Sequence, residues 1–214
     1  MELEPFAALL AELLPAGLPH RAECVQQAAR HLELIVEANR HFNLTRIVEE
    51  REAVIKHVVD SLLPWRLFAD ATHIADAGTG PGFPGIPLSL IFPETRFTLL
   101  ESTQKKARFV DEAVRSLGIV NVQVLAVRAE EWLAANPTDI VTARAVAPLS
   151  KAIPLFAPAL KRGARLLLYK GPDAETEIAE AAAELRKRRL HAKVCLRYDL
   201  PDSLGSRSIV EVTA

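Results

Sequence analysis

Ten consecutive residues carry the chain's clearest chemistry, Asp76-Ala-Gly-Thr-Gly-Pro-Gly-Phe-Pro-Gly85. Gly80, Gly82 and Gly85 fit the GxGxxG fingerprint of dinucleotide sites, where amide N–H groups cradle a pyrophosphate. Shifted two positions toward the N-terminus, Asp76, Gly78, Gly80 and Gly82 give an acid followed by GxGxG, the frame of S-adenosylmethionine sites. Charge separates the two readings. A pyrophosphate wants N–H donors at a helix N-terminus and no carboxylate beside them, whereas a ligand with a sulfonium and an ammonium gains from Asp76. Pro81 and Pro84 also withhold donors that a phosphate cradle would use. The cationic cofactor is the better fit, and a nicotinamide-dependent oxidoreductase is the alternative.

A second carboxylate, Glu101, follows the next apolar run. At a strand end it can accept both hydroxyls of a ribose. S-adenosylmethionine and NAD share that sugar, so Glu101 indicates a nucleoside without choosing between them. It could instead cap a helix beginning near Thr103.

These residues need elements to hold them, and the chain has two regimes. Up to residue 64 the apolar spacing is helical: Leu3 to Leu14, Arg21 to Arg40, and Glu49 to Leu63, ending at Pro64. The pattern changes near residues 64–73, and from Thr72 short apolar runs alternate with amphipathic stretches. Strands are predicted at His73–Ala77, Arg96–Glu101, Val122–Val127, Asp139–Ala143 and Ala164–Tyr169. The intervening helices are expected at Gly85–Phe92, Thr103–Leu117, Ala129–Ala134, Leu149–Leu160 and 173–189, with Pro148 to Pro158 flanking a helix rather than forming a linker. Ala192–Leu200 and Ser206–Val212 have no helix between them and can pair as an antiparallel hairpin. This alternation predicts an α/β fold with a mostly parallel seven-stranded sheet covered on both faces, the Rossmann-like methyltransferase arrangement. The expected division is a helical extension, 1–64, and a cofactor-binding domain, 65–214.

Composition narrows the classes. Of 214 residues half are hydrophobic and 25% charged, and 26 basic against 27 acidic residues leave a net charge of −1. That total gives no support for nucleic acid, although a local basic face suffices electrostatically. Basic clusters lie at Lys105-Lys106-Ala-Arg108, Lys161-Arg162-Gly-Ala-Arg165 and Arg186-Lys187-Arg188-Arg189. The last reads as a solvated helix face or end, and the first equally as a solvated helix face or a phosphate contact. Cys24 and Cys195 form no CxxC pair and no metal spacing, so they read as thiols of a reducing compartment. The acidic start lacks the pattern of a signal peptide, and Ile86 to Phe92 is too short to span a bilayer. A cytoplasmic monomer without metal or membrane attachment is expected.

The longer string Asp76 through Leu88 closely resembles the ribosomal small-subunit methyltransferase G family. Collinear family-like stretches are Phe42-Asn-Leu-Thr45, His57-Val-Val-Asp-Ser61, Leu100-Glu-Ser-Thr-Gln-Lys-Lys106, Arg128-Ala-Glu-Glu131, Thr142-Ala-Arg-Ala-Val-Ala147 and Tyr169-Lys-Gly171. Thr79 stands where the family often has Ser and Phe83 where Leu is common, and neither change removes a functional group. The resemblance implies S-adenosylmethionine-dependent methylation of guanine N7 in the 530 loop of 16S ribosomal RNA, with that RNA or the small ribosomal subunit particle as partner. It also implies roles at matching positions. Gly78 and Phe83 would line the cofactor, with Glu101, Ser102 and Thr103 around ribose and adenine. Ala129 and Glu130 would bracket the adenine. Arg144 would sit beside the methyl-donor pocket and Lys170 would face the RNA.

Guanine N7 carries a lone pair and no proton, so its methylation needs alignment rather than a general base. The sequence agrees: it has no Asn/Asp-Pro-Pro-Tyr loop for amino groups and no Pro-Cys nucleophile for carbon. Arg144 and Lys170 could then hold phosphates or the Hoogsteen edge. His57, Asp60 and Ser61 share one helical face, a poor catalytic triad. They read as packing of the helical extension against the glycine loop, or as RNA contacts. Asn43 and Thr45 suit a helix stop and cap, or the RNA entrance. His31 and His191 read as ordinary residues. A non-catalytic RNA-binding module with this fold is the remaining alternative.

Overall fold

The computed structural model describes residues 5–41, 43–47 and 49–214. The start of the first expected helix, Leu3, and Phe42 of the first family-like stretch lie outside the described residues.

Among the described residues, three helical segments and then a short 3-10 turn (Trp65–Phe68) precede the sheet. The three segments are α1 (Pro5–Leu13), α2 (Arg21–Asn39) and a composite helix of α3 (Glu50–Ala53), a π-helical stretch (Val54–Val59) and α4 (Asp60–Leu62). The π-stretch interrupts what the sequence pattern reads as one regular helix. Its signature is the Asp60 N–H, which bonds the Ile55 carbonyl five residues back. In an α-helix that N–H would go to Lys56, so the Lys56 carbonyl is released for another partner.

The sheet has seven strands in the order β3-β2-β1-β4-β5-β7-β6. They are β1 (His73–Ala77), β2 (Arg96–Leu100), β3 (Val122–Leu125), β4 (Ile140–Arg144), β5 (Arg165–Lys170), β6 (His191–Asp199) and β7 (Ser206–Thr213). β1 to β5 run parallel, and the antiparallel β6–β7 hairpin closes one edge through β5–β7. The fold class expected from the alternation is the one observed. The chain winds outward from β1 to β3 and then returns to β4 beside β1. That reversal opens a crevice at the C-terminal ends of β1 and β4, where sheets of this kind bind ligands.

Side chains alternate between two cores, as strand geometry requires. Ile74, Phe97, Leu99, Ile140, Leu167 and Ile209 face one core, shared with Leu10, Cys24, Leu32 and Val58 of the N-terminal helices. Ala75, Leu100, Val141, Leu166, Leu168 and Val210 face the other, covered by α8 (Leu149–Leu160), α9 (Ala174–Glu180) and α10 (Ala182–Arg188). The first face also carries α5 (Gly85–Ile91) and α6 (Gln104–Ser116), and α7 (Ala129–Ala135) follows β3.

Two expectations need correction. Pro154 and Pro158 lie inside α8 rather than flanking it. Each removes one backbone bond, but Ile153, Phe156, Ala157 and Leu160 remain buried in the second core, and that packing holds the helix together. The single helix expected over 173–189 divides at Ala181, a fully buried residue with a nearly flat ψ of −2°.

Candidate active site

The crevice begins with the glycine loop between β1 and α5. Asp76 is fully buried at the end of β1, and its Oδ2 accepts from the Thr79 hydroxyl at 2.6 Å and the Gly85 N–H at 2.9 Å. Burial pushes its carboxyl up to about 6, against the lowering effect of those two bonds and of Arg144. A Cβ on Gly85 would collide with Leu99 and come within 2.8 Å of that same Oδ2. Gly85 is therefore glycine for close approach, not for a left-handed backbone. Gly78 is the opposite case. It has φ +75° and nothing within 4 Å of a built Cβ, so it presents open main chain to the crevice.

Glu101, one residue beyond β2, bridges the loop to the next helix. Its Oε2 accepts from Gly80 N–H at 3.1 Å and its Oε1 from Thr103 N–H at 2.7 Å. The bond at the start of α6 that the sequence allows is therefore present. With one donor on each oxygen, lone pairs remain for further donors.

Gly78 is common to the walls of two cavities. One is a narrow, largely apolar slot of about 190 Å³, with Leu100, Val127, Leu155 and Phe156 among its walls. Of the residues expected at the cofactor, Gly78, Ser102, Ala129 and Glu130 line it. The other is a wider basin of about 420 Å³, where Gly78, Gly80, Phe83, Arg144 and Lys170 come together. Asp76 and Glu101 brace the loop from behind, and Thr103 stands at the N-cap of α6.

Phe83 forms the aromatic centre of the basin. His57 stacks on it at 4.6 Å and 4° between planes, His31 is tilted against it at 4.9 Å, and the Arg144 guanidinium lies 5.4 Å from its centroid. Packing of the extension onto the glycine loop is thus realised through His57, which also faces the basin. Burial lowers His57 to about 3, assisted by the charge of Arg144, and lowers His31 to about 4. Neither ring is protonated near neutrality. His31, read from sequence as ordinary, is fully buried and bonds the Pro81 carbonyl at 2.9 Å, holding the loop from below. A histidine at helical core spacing carries no sequence signal for that contact.

Arg144, at the end of β4, donates to the carbonyl that the π-stretch releases, Lys56 O, at 2.7 Å. It also reaches Asp60 Oδ2 at 3.3 Å. Asp60 is buried and gathers the Tyr198 hydroxyl at 2.9 Å and Arg207 at 3.6 Å as well. Sequence reasoning placed Asp60 on the right helical face but missed Tyr198 and Arg207, which the terminal hairpin brings from far along the chain. Lys170 is turned inward, bonding Glu177 Oε2 at 2.7 Å and the Ala147 carbonyl at 3.1 Å.

Comparison with known proteins identifies the family. The model of the family described as rRNA small subunit methyltransferase G matches residues 24–199. A protein of that name from Solibacter usitatus is 65% identical over 207 residues, covering 97% of this chain and 99% of its own. The chain belongs to the ribosomal RNA small subunit methyltransferase G family. Another member, from Stenotrophomonas maltophilia, is 38% identical and is covered over 99% of its length, with 100% of this chain aligned. With membership in methyltransferase G, the oxidoreductase reading of the glycine loop is set aside.

Solved structures agree at the level of fold. An O-methyltransferase of tomaymycin synthesis from Streptomyces achromogenes, in complex with SAM, has a TM-score of 0.57 at 19% identity, covering 86% of this chain and 90% of that one. A precorrin-6y C5,15-methyltransferase from Geobacter metallireducens gives 0.57 at 19% identity, covering 82% and 96%. This member of the family therefore has the α/β methyltransferase fold, and among its described residues no helix is long and apolar enough to cross a membrane.

Proposed function

We propose that this chain binds S-adenosylmethionine across the slot and the basin and methylates N7 of a guanine in the 530 loop of 16S ribosomal RNA. The observation that carries the reading is Gly78, whose open main chain joins an apolar slot to a polar basin. The slot suits an adenine, held between Leu100 and Ser102 on one side and Val127, Ala129 and Glu130 on the other. Glu101, oriented by Gly80 and Thr103, has lone pairs left for ribose hydroxyls. Asp76 holds the loop in shape and places negative charge beneath it, favourable to a cationic ligand. Bound there, the cofactor supplies an electrophilic methyl group.

Among the described residues, the basin has no effective base. His57 is too weakly basic, Asp60 is occupied by Arg144, Arg207 and Tyr198, and the Tyr169 hydroxyl donates to Ser61 O at 2.8 Å with its pKa raised by burial. Such a site suits an acceptor that has no proton to lose, as guanine N7 does. Arg144 can donate to the guanine Hoogsteen edge. Lys170, paired with Glu177, shapes the wall through Gly171 and reaches RNA only by leaving that pair. The chain acts as a monomer in the cytoplasm on 16S RNA or the small subunit particle.

Incubating the protein with methyl-labelled S-adenosylmethionine and 16S RNA from cells lacking the gene, followed by digestion to nucleosides, tests this. Label in 7-methylguanosine is expected. Label in any other nucleoside, or none, would overturn it.

A further inference from the structure

The basin opens at Thr45 into a groove of about 900 Å³ between the end of α2, residues 43–47 and α6. Thr45 belongs to both walls, and its hydroxyl lies 3.2 Å from His57 Nε2. Asn39 fixes the segment: its Oδ1 accepts from the Leu44 and Thr45 N–H groups at 2.8 and 3.0 Å, and its amide donates to Thr45 O at 2.8 Å. The groove is thus a held continuation of the site.

Its charge differs from that of the basin. Lys56 pairs with Glu52, Lys170 with Glu177, and Arg144 and Arg207 share Asp60, so each cation of the basin faces a carboxylate and most of its charge is compensated. The groove wall carries Arg40, Arg46 and Lys106 and no carboxylate. Arg40 pairs with Glu37, but Arg46 and Lys106 form no ion pair among the described residues. A largely compensated basin suits an uncharged base, and a groove with two unpaired cations suits phosphates.

Resting on the function proposed above, we infer that the RNA strand adjoining the target guanine runs along this groove, with its phosphates on Arg46 and Lys106. Neither side chain reads a base, so they set affinity and register rather than sequence. The net charge of −1 makes this local pair the more telling, because the chain does not attract polyanions as a whole.

The test compares R46Q/K106Q with K187Q/R189Q, which removes the same charge from exposed residues at the end of α10. Both are assayed on a 16S RNA transcript for KM and for the salt dependence of RNA binding, and by calorimetry for S-adenosylmethionine. The groove variant is expected to raise the KM for RNA several-fold and to flatten the salt slope by roughly 0.7 per lost contact, with cofactor affinity retained. The α10 variant should change neither RNA quantity. Equal KM and slope in the two variants would overturn the groove while leaving the methyltransferase function standing. A wild-type protein that binds the cofactor but transfers no methyl to RNA would overturn the function and the groove together.

Discussion

Arg144 donates to the main-chain carbonyl of Lys56 at 2.7 Å, and that carbonyl is free because Asp60 N–H bonds one residue further back. The irregular turn in the N-terminal helix thereby ties the extension to the end of β4 and aims a guanidinium at the basin. Asp60, on the same helix, supplies the countercharge. Both contacts come from Nη1, so the remaining N–H donors of the guanidinium stay available to the basin, whereas a lysine holding the same two partners would keep only one.

Arg144→Ala and Arg144→Lys should therefore both lose activity, by about a hundredfold or more, because misplacing a reacting group by an ångström costs on that order. Far-UV circular dichroism and cofactor affinity should remain near wild type. Normal turnover on ribosomal RNA by either variant would contradict the role.

Asp60→Ala removes the countercharge from Arg144 and Arg207 and the partner of Tyr198 together. Breaking a buried pair costs about 3–5 kcal/mol, and the partial exposure of both arginines puts the expected loss near the lower end. Urea unfolding measures it. A variant as stable as wild type would show that the cluster does not contribute to the fold.

Gly85→Ala should destabilise by roughly 1–3 kcal/mol, the usual cost of forcing a methyl into filled space, since Leu99 and Asp76 occupy the position. Gly78→Ala has room for its methyl but a φ of +75°, and its side chain would project into the crevice. Its effect should appear in S-adenosylmethionine affinity, measured by calorimetry, more than the effect of Gly85→Ala does.

Stability should fall as pH drops below about 6.5, the ordinary histidine value. The folded chain holds His31 and His57 neutral down to about 4 and 3, while the unfolded chain takes up both protons, so acid favours unfolding. Each histidine contributes up to about 1.4 kcal/mol per pH unit within its window. Asp76, raised to about 6, acts oppositely: between 3.8 and 6 it is the folded chain that holds the extra proton. Unfolding free energies at pH 7.5, 6 and 5 for wild type and His57→Gln check the sign. The variant should lose part of the slope, and an unchanged slope would contradict it.

What the sequence made legible was local. Period and punctuation placed β1 at His73–Ala77 and α8 at Leu149–Leu160, because each depends on its own residues. The glycine loop was readable for the same reason, since Gly78, Gly80 and Glu101 lie close along the chain or at successive strand ends. The cluster on Asp60 was not, because Arg144, Tyr198 and Arg207 reach it only after the sheet has formed. Nor was the π-stretch, whose Val54–Val59 pattern is apolar enough for an ordinary helix. Asp76 and Lys170 were found as residues but not as orientations. One turns under the loop and the other toward Glu177, and partners nine and seven positions away decided both.

The central claim is that the crevice joined at Gly78 delivers a methyl group to one guanine N7 of the small-subunit RNA. Oligonucleotide mass mapping of 16S RNA treated with this protein and S-adenosylmethionine tests it most directly. A gain of one methyl group is expected, confined to a fragment of the 530 loop and located on N7. Methylation elsewhere in the RNA, or an unmodified 530 loop after full cofactor binding, would contradict it.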